Sequence, residues 1–125
     1  MNNKFAERTF LIAGIYGILV LFPMYFTMDS FGKDFPPIIT HPEFYYGFVS
    51  CALAWQVVFI IISRDPVRYR PLILPIAILE KFLFAGFVAY LYAAEGMNPN
   101  IIAGAVIDCI LGILFIVSYF KTSEN

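Results

Sequence analysis

Four long apolar stretches, Phe10–Met28, Phe44–Ser63, Leu72–Ala94 and Ile101–Phe120, occupy most of the chain, with only short polar hinges between them. Each has about the 17–25 residues that a helix needs to cross the hydrocarbon of a bilayer. A backbone in hydrocarbon must satisfy its own hydrogen bonds, so spans of this length and character are helices. The pattern therefore predicts an all-α integral membrane protein, an antiparallel four-helix bundle forming a single domain over residues 1–125. Charged residues amount to only 14%, against about 25% in soluble domains, too few to clothe a water-facing surface. A net charge of −1 offers no basic stripe for nucleic acid, and the expected surroundings are the lipid bilayer.

The first stretch resembles a secretory signal in having Lys4 and Arg8 before an apolar run. The run is too long for one, and Phe22-Pro23-Met24-Tyr25-Phe26 provides no small-residue cleavage site, so it reads as a retained helix. Basic residues set the orientation. Lys4, Arg8, Arg64, Arg68, Arg70 and Lys121 fall on one side of the spans, and only Lys33 falls on the other. Both termini and the Arg64–Arg70 connection are thus expected in the cytoplasm, with 29–43 and 95–100 facing outward. The outer connection carries Phe31, Phe35, Pro36, Pro37, Ile38 and Ile39, which suits a segment that lies at the interface or caps the bundle. Asp65-Pro66 reads as a cap and the first position of a short turn, Pro71 as the start of span three, and Asn98-Pro99-Asn100 as a turn into span four.

Glu80, Lys81, Asp108 and Gln56 lie inside the predicted spans. A charge near the bilayer centre costs about 2.5–3.5 kcal/mol on insertion scales, so such groups face the bundle and seek partners. As sequence neighbours, Glu80 and Lys81 sit roughly 100° apart on an α-helix and are expected to look to different helices. Helical rise places Tyr16, Gln56, Glu80 and Lys81 at similar depth. Asp108 is shallower and joins that layer only through tilt, a water or a long reach from Lys81; Arg64 and Arg68 are alternative partners for Glu80. Trp55 lies at mid-depth on the same face as Cys51. Pro75 is expected to bend span three within two turns of Glu80.

Small residues mark close approaches: Ala13 and Gly17 on span one, and Gly104, Asp108 and Gly112 on one face of span four. They suit packing within the chain or a homodimer contact. Cys51 and Cys109 form no CxxC pair and have no nearby histidine, so they read as apolar fillers; no metal site or catalytic group is expected, and no motif specifies a cofactor.

Phe44-Tyr45-Tyr46-Gly47-Phe48, Ala52-Leu53-Ala54-Trp55-Gln56, the run from Arg64-Asp65-Pro66 to Pro71-Leu72, and Leu79-Glu80-Lys81 resemble a group of small bacterial four-helix membrane proteins. That resemblance covers about half the chain and implies a bacterial inner-membrane setting, with no activity. A looser likeness to DoxX-like membrane proteins rests on size and span count. Small multidrug-resistance transporters carry a glutamate within the first helix, whereas Glu7 precedes it here. Two functions stand against each other. The leading reading is a non-catalytic accessory subunit that docks a larger membrane complex, its polar residues clamping the bundle. The alternative is a binder or transporter of a lipid-like or quinone-like molecule, using Glu80, Lys81, Gln56, Trp55, Asp108 and Tyr16.

Overall fold

A computed structural model of the chain describes residues 3–122. Helix α1 (Lys4–Leu21) runs on through a 3-10 segment, Phe22–Phe26, into a short helix, α2 (Met28–Asp34). Helix α3 (Pro42–Arg64) is the second span. The third is composite: α4 (Arg70–Pro75), a π-helical segment (Ile76–Phe82) and α5 (Leu83–Glu95). The fourth is α6 (Asn100–Lys121). Four helices are therefore long and apolar enough to cross a membrane, over Lys4–Phe26, Pro42–Arg64, Arg70–Glu95 and Asn100–Lys121. The last three extend one or two residues past each end of the apolar stretch that announces them, because polar residues at helix ends keep their backbone bonds. The first starts six residues early, at Lys4, and ends at Phe26, two residues short of Met28, so Glu7 lies in the first turn of the helix and not before it.

Short-range chemistry forms the hinges as the letters suggest. Asp65 accepts a hydrogen bond from the Arg68 backbone N–H at 3.2 Å, which holds the turn between the second and third spans. Asn98 accepts one from the Asn100 N–H at 3.0 Å, and its side-chain amide donates to the Asp34 carbonyl at 2.7 Å. That last bond ties together the two connections at the far end of the bundle. Gly96 ends α5 with φ of 71°, a conformation that a side chain would strain. The connection after the first span is more ordered than a loop. Gly32 of α2 is buried, and a Cβ there would sit 3.0 Å from the Ile39 nitrogen.

Packing follows a 2–1–4–3 order. Helix α1 packs closely on α3, α6 packs on both α1 and the third span, and the second and third spans make no comparable backbone contact. At the end bearing the termini, Phe10, Phe59 and Phe115 are wholly buried. The rings of Phe10 and Phe115 stack at 4.3 Å, and Phe59 meets Phe115 edge-on at 5.1 Å. Ile62, Ile73, Ile76 and Ala77 complete that core. Lys121 lies over the Phe5 ring, and Arg70 lies 3.7 Å from the centre of the Tyr119 ring while donating to the Tyr119 carbonyl. The outward faces carry Leu19, Phe26, Phe44, Leu79, Phe87, Tyr90, Ile113 and Phe120 in exposed positions. Helices apolar on both faces suit a hydrocarbon surround rather than water.

Candidate functional site

Glycine makes the first part of the site. Gly14 and Gly17 bring α1 onto α3; a Cβ on Gly14 would meet the Gln56 carbonyl oxygen at 2.7 Å, and one on Gly17 would overlap the Gln56 side chain. Gln56 is thereby pressed into the bundle, with 2% of its surface exposed. Its Nε2 donates to the Ala52 carbonyl one turn back, at 2.9 Å. Its Oε1 is buried and has no hydrogen-bond partner.

Proline makes the second part. Pro75 lacks an N–H and cannot continue the ladder of i→i−4 bonds. The bend expected from it coincides with the π segment Ile76–Phe82, which carries both Glu80 and Lys81. A π turn takes up more residues per revolution than an α turn and so shifts the phase of the side chains after it. Lys81 Nζ lies 3.2 Å from Glu80 Oε2 and 3.3 Å from Asp108 Oδ1 on α6. The expectation that Glu80 and Lys81 look to different helices is thus corrected. The widened turn and the four-carbon lysine stem let the ammonium fold back on its neighbour. The reach from Lys81 to Asp108 is the one anticipated. The Arg68 guanidinium lies instead over the Tyr69 ring, 5.6 Å from its centre, and Glu80 takes its cation from Lys81.

Lys81 is 4% exposed and sits over the Phe59 ring, 5.4 Å from its centre, at the edge of the aromatic core. It donates a hydrogen bond to Asp108. Its approach to Glu80 is a charge contact without hydrogen-bond geometry, so Glu80 Oε2 remains a buried acceptor with no donor.

Beyond this cluster the bundle opens into a cavity of about 500 Å³. All six residues singled out from the sequence, Tyr16, Trp55, Gln56, Glu80, Lys81 and Asp108, line it. The structure does not make them one hydrogen-bonded layer. Tyr16 and Trp55 are 38% and 40% exposed and form wall and rim. Phe31 of α2 and Phe35, the residue that follows the helix, close the far end, and their rings lie 4.9 Å apart. Phe48 and Phe84 stack at 6.3 Å across the gap between the second and third spans. These four rings are absent from the sequence-based set, although Phe31 and Phe35 stand at helical i, i+4 spacing. Gly104 faces open space on the cavity wall, whereas Gly112 is filled by the Phe82 ring at 2.8 Å from a would-be Cβ. Cys51 and Cys109 are free thiols.

Walls that are mostly apolar and a floor that holds an ion-paired cluster suit an amphiphile better than a wholly polar solute. No group of three or more metal-ligating side chains occurs among the described residues. Compared with protein-family models, curated proteins and solved structures, the chain matches none.

Proposed function

We propose that this is a multi-pass membrane protein that binds or carries a small amphiphile, lipid-like or quinone-like, with its polar head at Gln56, Glu80 and Asp108. The observation that carries this reading is the Gln56 amide oxygen, buried without a donor on the wall of a roomy cavity. Leaving such an acceptor unpaired costs about 1–3 kcal/mol, and a ligand hydroxyl or N–H removes that cost. The ligand enters from the bilayer through the gap between the second and third spans, where Phe48 and Phe84 stand as a pair of half-exposed rings. The accessory-subunit reading has less support. The exposed apolar belt suits lipid as well as a larger complex, and no side chain on it marks a docking face.

The setting we propose is a bacterial inner membrane, with both termini and the 64–70 connection in the cytoplasm. It is supported by six basic residues at that end against Lys33 at the other. A terminal fluorescent-protein fusion is expected to fluoresce; periplasmic phosphatase activity from the same position overturns this orientation.

Gln56→Leu tests the ligand reading. It removes the unpaired acceptor at similar volume, so thermal stability in detergent is expected to hold or rise. The small molecule retained by the wild-type protein, read by native mass spectrometry from nanodiscs, is expected to be lost. A variant that still carries that molecule overturns the reading, as does a wild-type protein that carries none.

A further inference from the structure

With both carboxylates ionised, the charges on the cavity wall do not balance. Glu80, Lys81 and Asp108 are its charged residues, so a single ammonium serves two carboxylates, at 3.2 and 3.3 Å. The Lys81 side chain is only 5% exposed and those of Glu80 and Asp108 are 22% and 19% exposed, so water screens the surplus negative charge poorly. Two buried acceptors, Gln56 Oε1 and Glu80 Oε2, also lack hydrogen-bond donors in the same cavity. The acceptors need donor hydrogens, and the second carboxylate needs either a proton or a cation.

An organic ammonium supplies both at once. A metal ion fits less well, because its ligand set would include the Lys81 ammonium at contact distance and no group of three metal-ligating side chains occurs among the described residues. Tyr16, Phe48, Trp55 and Phe84 line the cavity around the cluster. Aromatic faces attract an organic cation through the ring quadrupole while also burying its apolar tail.

From this geometry we infer that the cavity selects a monocationic amphiphile, an alkyl- or arylalkylammonium whose N–H groups serve the two unpaired oxygens and whose charge offsets the second carboxylate. The inference rests on the ligand reading above and adds the charge of the head group to it.

The test uses the full chain in nanodiscs of zwitterionic lipid, with empty nanodiscs subtracted. Trp55, the chain's one tryptophan, lines the cavity and reports occupancy through its emission. The probes are phenylbutylammonium and phenylbutanol, which share a tail and differ in head charge. The ammonium is expected to bind about tenfold more tightly than the alcohol, the ratio that one desolvated charge contact supports. In Asp108→Asn, which removes the surplus charge, the ratio is expected to fall to near one. Equal or tighter binding of the alcohol to the wild type overturns the charge selection and leaves amphiphile binding intact. A preference unaltered in both Asp108→Asn and Glu80→Gln overturns it as well. If neither probe changes Trp55 emission, the ligand reading itself falls, and this inference falls with it.

Discussion

The two halves of the bundle use the same kind of side chain to opposite ends. Toward the termini, Phe10, Phe59 and Phe115 converge and bury themselves completely. Toward the two connections, Phe31, Phe35, Phe48 and Phe84 stand around an open volume instead of filling it. What differs is the company each ring keeps. Near the termini the rings face one another and Ile62, Ile73 and Ile76, so the centre closes. In the other half, Gly17, Ala52 and Gly104 face the middle, and the second and third spans make no backbone contact comparable to that of the other neighbouring pairs to draw the walls in. Aromatic content therefore does not decide whether a membrane bundle is solid; the size of the residue opposite does. Lys81 stands at the boundary, with Phe59 beneath it and the cavity above.

Truncation in the closed half gives the largest expected effect. Phe115→Ala removes a wholly buried ring from a three-ring stack and is expected to cost about 3–5 kcal/mol, read as a fall in thermal unfolding temperature in detergent. A loss well under 1 kcal/mol would mean that this half is as loose as the other, and the contrast would be gone.

At the boundary, Lys81→Met leaves Glu80 and Asp108 without their cation. Breaking one side of a buried ion pair costs about 3–5 kcal/mol, here at the lower end because both carboxylates are partly exposed. The triple variant Glu80→Gln, Lys81→Met, Asp108→Asn is expected to regain most of that loss. If the triple variant is no more stable than the single one, packing of the lysine stem rather than charge holds the cluster.

A methyl group at Gly17 would overlap the Gln56 side chain. Gly17→Ala is therefore expected to cost about 1–3 kcal/mol and to move Gln56 into the cavity. Unchanged stability, together with unchanged Trp55 emission, would show that the open half has slack to spare on the α1 side. The smallest effect is expected from Phe84→Ala, whose ring is already 38% exposed. It should cost less than about 1 kcal/mol while speeding the exchange of a bound amphiphile, measured by Trp55 emission after dilution. A loss as large as that of Phe115→Ala would erase the distinction between the two halves.

Much of the architecture is legible in the letters because it is set by short-range chemistry and by the solvent. Apolar runs of spanning length, Asp65-Pro66 and Asn98-Pro99-Asn100 act within a few residues of themselves. The six polar or aromatic positions that line the cavity are also legible, since polar groups inside an apolar run stand out against their neighbours. Their pairing is not legible. The expectation that Glu80 and Lys81 diverge assumes an α-helix, and the π segment after Pro75 voids that assumption. Phe31 and Phe35 are legible as part of an apolar connection but not as a cavity wall, and Phe48 and Phe84 pass unnoticed for the opposite reason: one phenylalanine among 14 in apolar surroundings carries no mark of whether it fills a core or lines a void.

By itself the sequence determined that the protein is four apolar helices joined by tight hinges, because span length, capping and hydropathy are properties of contiguous residues. It also determined that Gln56, Glu80, Lys81 and Asp108 would be costly to leave facing hydrocarbon. Only the tertiary structure decided that Lys81 holds both carboxylates, that Gln56 is pinned against Gly17, and that the aromatic rings close one half while lining the other. Those outcomes depend on helix rotation and on which side chains meet across helices distant in sequence, and a local pattern of residues constrains neither.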